Sequence, residues 1–414
     1  MHDNHSSPDR RTVLMAGAGG AATQILPDFL AARPHLGADL RVGLVGVGRQ
    51  GRAILAELGK FDEVTLVAYC DTDERRLGSA ARRAKGAKGY ATQDAMLAAH
   101  PNLDALLIAT PTHLHRAPCE GGLAAAKHIY CESPLAHSIE DCRAITAAAA
   151  SAGKVFQTGY QGRANPVYKL ARSFVRSGAI RDVLSMSAQS NQKNSWRTPA
   201  SDPVRDKALN WRLDPEVTLG LAGELGAQQF DVLHWFTSKY PVRVEASGGI
   251  LAWHDGREVA DTVQARLTYK DGSQLSWNAT LGNTYNGTQE ILMGTMGTVR
   301  LAWSHGWLFK ESDAPTQGWE VYANRQQFHN DEGITLIADA TKLASQGKLK
   351  KGVGLPHPGL YYGLETFFQS ITQEKDVVCS AEEGLRATAI AIKVQTALTT
   401  GQAQDISEAD LASK

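Results

Sequence analysis

The glycine-rich turn Gly46-Val47-Gly48-Arg49-Gln50-Gly51 constrains the fold of this chain more than any other stretch. An apolar, β-branched run over 40–45 predicts a buried strand before the turn, and the spacing over 53–58 predicts a helix after it. A second apolar run, 64–69, leads to Asp71, which follows the last glycine by 20 residues. A strand, glycine turn, helix, strand and acid in this register are typical of a dinucleotide-binding unit.

Each glycine of the turn has a separate physical role in holding a dinucleotide. Gly46 permits the tight turn, Gly48 lets the backbone approach a pyrophosphate, and Gly51 lets helix and strand pack closely. The following helix presents free N–H groups and a positive dipole end to the phosphates, with Arg49 and Gln50 in its first turn.

Asp71 decides which dinucleotide the sequence favours. Its carboxylate is placed to accept hydrogen bonds from a ribose 2′-OH and to repel a 2′-phosphate. The sequence therefore predicts NAD rather than NADP as the cofactor, although Arg75 and Arg76 lie close enough to weaken that preference.

Length and composition exclude several classes of protein. The 414 residues allow about two or three domains. A formal net charge of zero gives no basic patch for nucleic acid, and no apolar run is long enough to predict a membrane span. The five cysteines are odd in number and lack CxxC spacing, so we expect neither a disulfide framework nor a metal site.

Residues 1–38 are predicted to be an export signal and linker outside the fold. Arg10-Arg11 precedes a weakly hydrophobic run rich in alanine and glycine, an order that resembles a twin-arginine signal. A disordered tail with an accidental arginine pair is the alternative. Twin-arginine export carries folded proteins, and free NAD is scarce outside the cytoplasm. We therefore expect a periplasmic protein that holds its cofactor tightly.

The hydrophobic pattern divides residues 39–414 into several segments. Strands alternate with alanine-rich helices over 39–160, which predicts a Rossmann domain with a doubly wound parallel sheet. Period-two alternation over 161–355, with a hairpin at Asp271-Gly272, predicts a C-terminal α+β domain with a large, mostly antiparallel open sheet. Helices over 356–405 are expected to pack back on the first domain, and 406–414 to form a tail. The fold class is α/β.

Four segments carry a resemblance to a known family. They are GVGRQG at 46–51, TPTHLH at 110–115, YCESP at 130–134 and ELGAQQFDVLHW at 224–235. Together they resemble the Gfo/Idh/MocA oxidoreductases, whose relatives include glucose–fructose oxidoreductase and inositol dehydrogenase. The resemblance covers nearly all of 40–405. It implies NAD(P) binding by the first domain, a sugar or cyclitol site on the second, and homodimers or homotetramers formed through the second sheet.

The departures from the family pattern concern proton transfer. The family's E-K-P lysine is replaced by Ser133, and its Asp/His pair by Glu224 and Gln228, so the usual base is absent. Another residue could act as the base, NAD could be used transiently as in the family's NAD-dependent glycosidases, or the protein could be inactive. The candidate bases are Glu224, Tyr160, His113 and Lys193.

Two further sets of residues are assigned from the resemblance and from side-chain chemistry. The strand ends and turns predicted to contact the cofactor are Thr110, Pro111, His115, Glu132 and Gln161. Tryptophans beside arginines suit a sugar, because they offer an apolar platform next to hydrogen-bond donors. The substrate candidates are Arg163, Trp196, Arg197, Trp211, Arg212 and Gln228.

The expected activity is hydride transfer from a hydroxyl of a sugar or glycoside to tightly bound NAD. The alternatives are an NAD-dependent glycosidase with no net redox change, and an inactive sugar-binding or sensing protein. The partner is thus a small carbohydrate, with no nucleic acid and no membrane span.

The export prediction is tested by changing Arg10→Lys together with Arg11→Lys. We expect this double variant to stay in the cytoplasm, because the twin-arginine machinery recognises the arginine pair. Immunoblotting of cytoplasmic and periplasmic fractions measures the outcome. Recovery of the double variant from the periplasm at the wild-type level would contradict the prediction.

Overall fold

The computed structural model describes residues 36–318, 320, 323–338 and 354–413. The predicted export signal lies outside these residues. Within them the chain forms two sheets, one parallel and one mostly antiparallel, with helices packed between and around them.

The first sheet has six strands in the order β3-β2-β1-β4-β5-β6, and all its pairs are parallel. Its strands are β1 (Leu40–Val45), β2 (Val64–Cys70), β3 (Lys88–Tyr90), β4 (Ala105–Ile108), β5 (His128–Cys131) and β6 (Phe156–Thr158). Its helices are α1 (Arg49–Leu58), α2 (Glu74–Ala81), α3 (Gln93–Ala99), α4 (Arg116–Ala124) and α5 (Ile139–Ala152). The doubly wound parallel sheet is confirmed. The strand order reverses beside β1, so the glycine turn lies at the switch point where such sheets bind ligands.

The second sheet has ten strands in the order β14-β15-β13-β12-β11-β7-β10-β9-β8-β16. Only the β7–β10 pair is parallel, which confirms the mostly antiparallel open sheet. The predicted hairpin is present, with Gly272 at φ +86°. The strands are β7 (Val183–Asn191), β8 (Pro241–Gly249), β9 (Thr262–Tyr269), β10 (Gln274–Thr280), β11 (Thr288–Gly294), β12 (Gly297–Ala302), β13 (His305–Lys310), β14 (Arg325–Gln327), β15 (Glu332–Thr335) and β16 (Gln404–Asp405).

Helices cover one face of this sheet, and β9 shows why. Its side chains alternate between buried and more exposed positions, so one face joins the core and the other stays polar. The helices of this part are α6 (Pro166–Arg176), α7 (Pro203–Leu209), α8 (Ala227–Thr237), α9 (Gly359–Thr372), α10 (Ala381–Thr400) and α11 (Glu408–Leu411).

The C-terminal helices join the two sheets. Helix α9 packs on the first domain, where Tyr361 stacks on Phe61 with ring centroids 4.7 Å apart. Helix α10 lies between α5 of the first domain and α8 and β8 of the second. The segment after residue 405 also packs on the fold, since Ile406 and Leu411 are buried. None of the described helices is both long and apolar enough to cross a membrane.

Arg163 is the centre of a buried ion cluster, and this corrects its assignment to the substrate. Arg163 lies in the turn just after β6. Its guanidinium donates to both carboxylate oxygens of Asp231 at 2.8–3.0 Å. A further N–H donates to Glu383 at the start of α10. The Arg163 side chain is only 4% exposed. The turn after β6, helix α8 and helix α10 therefore meet at the Arg163 guanidinium. Its nitrogens are buried and bound to carboxylates of the protein, so they are not available to a sugar.

We expect Arg163→Met to lower the free energy of unfolding by about 3–5 kcal/mol, because it leaves the Asp231 carboxylate buried and unpaired. Chemical denaturation measures the change. Arg243→Met is the matched control, since its pair with Asp405 lies on the surface and is worth about 1 kcal/mol or less. If Arg163→Met kept wild-type stability and lost only affinity for substrate, the original assignment would stand.

Candidate active site

The glycine turn between β1 and α1 has no room for a side chain at Gly46 or at Gly51. Gly46 adopts φ +89°, and a Cβ on it would lie 2.7 Å from the carbonyl oxygen of Ala109. A Cβ on Gly51 would lie 2.0 Å from the carbonyl oxygen of Gly46. Gly48 precedes α1 and no side chain caps that helix, so its first N–H groups face the cleft. These residues fit a pyrophosphate.

Asp71 lies at the end of β2 beside this turn. Its Oδ2 accepts a hydrogen bond from the backbone N–H of Val47 at 2.9 Å, and its Oδ1 accepts one from Asp73 at 2.9 Å. The carboxylate is thus fixed at the edge of the turn, where the ribose contact was predicted. The guanidinium of Arg76 lies near Gly48, 3.5 Å from where a Cβ would be.

Glu132 joins the end of β5 to the glycine turn. Its Oε1 accepts a hydrogen bond from Gln50 Nε2 at 2.8 Å, and the residue is buried. Burial raises the pKa of Glu132 to about 7, and the Gln50 bond only partly opposes that rise. Gln161 lies in the turn after β6, the strand that pairs with β5 in the parallel sheet.

His115 has a structural role, which corrects its assignment as a cofactor contact. The ring is buried, with Nδ1 at 3.0 Å from the carbonyl oxygen of Pro134 and Nε2 at 3.0 Å from that of Thr110. It ties the turns after β4 and β5 together. Thr110 and Pro111 remain half-buried at the edge of the cleft, where a cofactor contact stays a prediction.

Ser133 and Gln228 meet directly, although 95 residues separate them. Gln228 Nε2 donates to Ser133 Oγ at 2.7 Å and to the carbonyl oxygen of Gly159 at 2.9 Å. Gln228 Oε1 is buried and has no hydrogen-bond partner among the described residues. An unpaired buried acceptor is costly, so this oxygen is suited to a donor such as a substrate hydroxyl.

Glu224 lies in a π-helical turn, Ala222–Gly226, that leads into α8. Its Oε1 accepts from the Thr112 hydroxyl at 2.9 Å, and its Oε2 accepts from Arg212 Nε at 2.6 Å. Arg212 was assigned to the substrate, but it is bound to this carboxylate and lies over the ring of Trp211 at 4.3 Å. Glu224 is thus a carboxylate held between a hydroxyl and a cation.

The other three candidate bases differ in position. Tyr160 is fully buried, and its hydroxyl is hydrogen-bonded to Thr388 Oγ1 at 2.9 Å. This structural role corrects its assignment as a base. His113 packs against Trp211 with ring centroids 5.8 Å apart, and burial lowers its pKa. Lys193 is exposed just beyond the end of β7, a central strand of the second sheet, and the described residues give it no ion pair.

Two substrate candidates in the loop after β7 belong to the loop itself. Trp196 is buried, with φ +61°. Arg197 pairs with Asp255 at 3.2 Å and with Asp206 at 3.9 Å, so its charge is already neutralised. Among the described residues, no group of three or more His, Cys, Asp or Glu side chains could hold a metal ion.

Comparison with known proteins identifies the family. A model of the oxidoreductase family's NAD-binding Rossmann fold, GFO_IDH_MocA, matches residues 40–160, and the family's C-terminal domain model matches 168–300. The chain belongs to the Gfo/Idh/MocA oxidoreductases. Its first domain is therefore an NAD-binding Rossmann domain.

Relatives of the chain act on sugars and cyclitols. It is 27% identical over 267 residues to inositol 2-dehydrogenase 1 of Saccharopolyspora erythraea, covering 64% of this chain and 74% of that protein. It is 24% identical over 269 residues to 2,7-anhydro-N-acetylneuraminate hydratase of Escherichia coli, covering 63% and 67%. The fold is similar to that of levoglucosan dehydrogenase in complex with NADH and levoglucosan, with TM-score 0.70, 21% identity and coverage of 89% and 99%.

The sequence did not reveal two groups at the edge of this site. Thr112 contacts Glu224 across 112 residues, and Asp73 pairs with Arg205 across 132 residues. Thr112 lies inside the TPTHLH segment, which is the one feature that could have drawn attention to it. Nothing near Arg205 points to a partner in the other domain.

Proposed function

We propose that this Gfo/Idh/MocA protein is an exported enzyme that oxidises a hydroxyl of a sugar or glycoside by hydride transfer to tightly bound NAD. The observation that carries the proposal is the unpaired Oε1 of Gln228, held by Ser133 beside the strand ends that carry the NAD site. The inositol dehydrogenase and levoglucosan dehydrogenase relatives support a polyol or sugar as the substrate.

The residues of the chain suggest how such a substrate is held. Bound NAD supplies the hydride acceptor. Gln228 Oε1 accepts a hydrogen bond from a substrate hydroxyl, and Trp211 offers an apolar face to the ring. Glu224 takes the hydroxyl proton, replacing its bond from Thr112 with one from the substrate. The Arg212 cation holds the carboxylate in position for that transfer.

An NAD-dependent glycosidase is the second candidate, and the Ser133–Gln228 contact favours it. Neither of these side chains titrates, whereas the resemblance places a lysine and a histidine at these positions. In that reaction the substrate is oxidised, eliminates its aglycone, adds water and is reduced again. The hydratase relative supports chemistry of this kind, since hydration involves no net redox change. Scarce free NAD in the periplasm would also favour a cycle that regenerates the cofactor.

The open polar face of the second sheet is the surface we propose for self-association. Side chains of β8, β9 and β10 line a shallow cavity there, among them Glu245, Gln264, Arg266 and Ser276. A homodimer or homotetramer formed through this face is supported by the family resemblance.

The proposed reactions give different products. Incubation with aryl and alkyl glycosides should yield a keto sugar with reduced cofactor if the protein is a dehydrogenase. Free aglycone without net NADH would instead indicate the glycosidase. Mass spectrometry of the sugars and absorbance of NADH distinguish the two, with heat-inactivated protein as the control. No product from a broad panel would contradict both and favour a sugar-binding protein.

Glu224→Gln tests the proposed base. A general base contributes about 10²–10⁴ in rate, so turnover should fall by that factor with little change in melting temperature. Arg212→Gln is the matched control, because it breaks the same ion pair and keeps the carboxylate. Equal losses in the two variants would show that the ion pair matters rather than the base. Full turnover of Glu224→Gln would move the role to His113 or Lys193.

A further inference from the structure

A segment of the second domain contacts the first domain at two places. We call residues 196–214 the clasp segment. At one end, Trp211 packs against His113, and Arg212 binds the carboxylate that accepts from Thr112. In the middle of the segment, Arg205 Nε on α7 lies 2.9 Å from Asp73 Oδ2.

Asp73 marks the adenosine end of the cleft. It follows β2 and caps α2, accepting from the backbone N–H groups of Arg75 and Arg76. Its own N–H donates to Asp71, the acid predicted to hold the adenosine ribose. The Arg205–Asp73 pair therefore lies directly beside the ribose position, and its side chains are only 28% and 15% exposed.

Arg49 and Arg212 lie close enough to repel each other. Arg49 begins α1 at the glycine turn, and burial together with the guanidinium of Arg212 lowers its pKa. Among the described residues, no acidic side chain forms an ion pair with Arg49. Two arginines that repel each other are stabilised by a nearby anion, and a pyrophosphate bound at the uncapped N-terminus of α1 would supply one.

Hydrogen bonds within the clasp segment hold its parts together. Asn210 Oδ1 accepts from the Thr198 N–H at 2.7 Å, and Asn210 Nδ2 donates back to the Thr198 carbonyl oxygen at 3.0 Å. Asp202 caps α7 by accepting from the Arg205 N–H at 2.7 Å. Arg197 ties the segment to Asp255. Opening the adenosine end thus requires Arg205 and Asp73 to separate.

We propose that the clasp segment closes over bound NAD and that the Arg205–Asp73 ion pair is its latch. NAD leaves only when the latch opens, so the pair sets the rate of cofactor release. This inference rests on NAD binding alone and not on the proposed reaction. In this proposal the cofactor is retained because the Arg205–Asp73 ion pair joins the two domains. No stronger contact to the nucleotide itself is required.

The test measures NAD release from the loaded protein, with excess of the fluorescent analogue etheno-NAD as the competitor. Arg205→Gln should release NAD about two- to fivefold faster, the range for a partly exposed ion pair. Asp73→Asn should do the same, because asparagine keeps the helix cap but removes the charge. The double variant should release NAD no faster than the faster single variant, since both remove one interaction.

Arg243→Gln is the control, since it removes a surface ion pair between Arg243 on β8 and Asp405 on β16, both in the second sheet. High salt should speed release from the wild-type protein more than from Arg205→Gln. Wild-type release rates in both single variants would overturn the proposal, and so would independent, multiplying effects in the double variant. An enzyme without activity on any sugar still gives this result, so failure of the latch and failure of the proposed function are distinguishable.

Discussion

The buried cation of Arg163 is the constraint on which the geometry of the cleft depends. It binds Asp231 on α8 and Glu383 on α10, while its own backbone continues from the last strand of the parallel sheet. A buried cation cannot release one carboxylate without leaving a charge unpaired, so the three elements are fixed together. Because α8 follows the turn that carries Glu224, this cluster also fixes the distance between the catalytic candidates and the NAD site.

The chemistry of the site depends on two replaced residues. The family resemblance places a lysine and a histidine where this chain has Ser133 and Gln228. Ser133 and Gln228 form a neutral hydrogen-bonded pair, and Gln228 keeps one oxygen unpaired. The remaining carboxylates differ in environment. Glu132 is buried with a neutral partner, and burial raises its pKa to about 7, whereas Glu224 is bound to a cation.

The clasp segment connects these two features with cofactor retention. Its C-terminal end completes the surroundings of Glu224, and Arg205 in its middle contacts Asp73, which donates a hydrogen bond to Asp71. A single loop thus contributes to both the substrate end and the adenosine end of the cleft.

The sequence by itself determined the features that depend on residues close together along the chain. The strand, glycine turn, helix and acid lie within 40–71, and period-two alternation identifies the second sheet, because local sterics and burial leave a periodic trace. Only the tertiary structure decided which side chains are already bound. Arg163, Tyr160 and His115 have the residue types of a binding site, yet distant partners bury and satisfy each of them. Those partners lie 68 and 228 residues away for Arg163 and Tyr160, and no local pattern encodes a contact across such a separation.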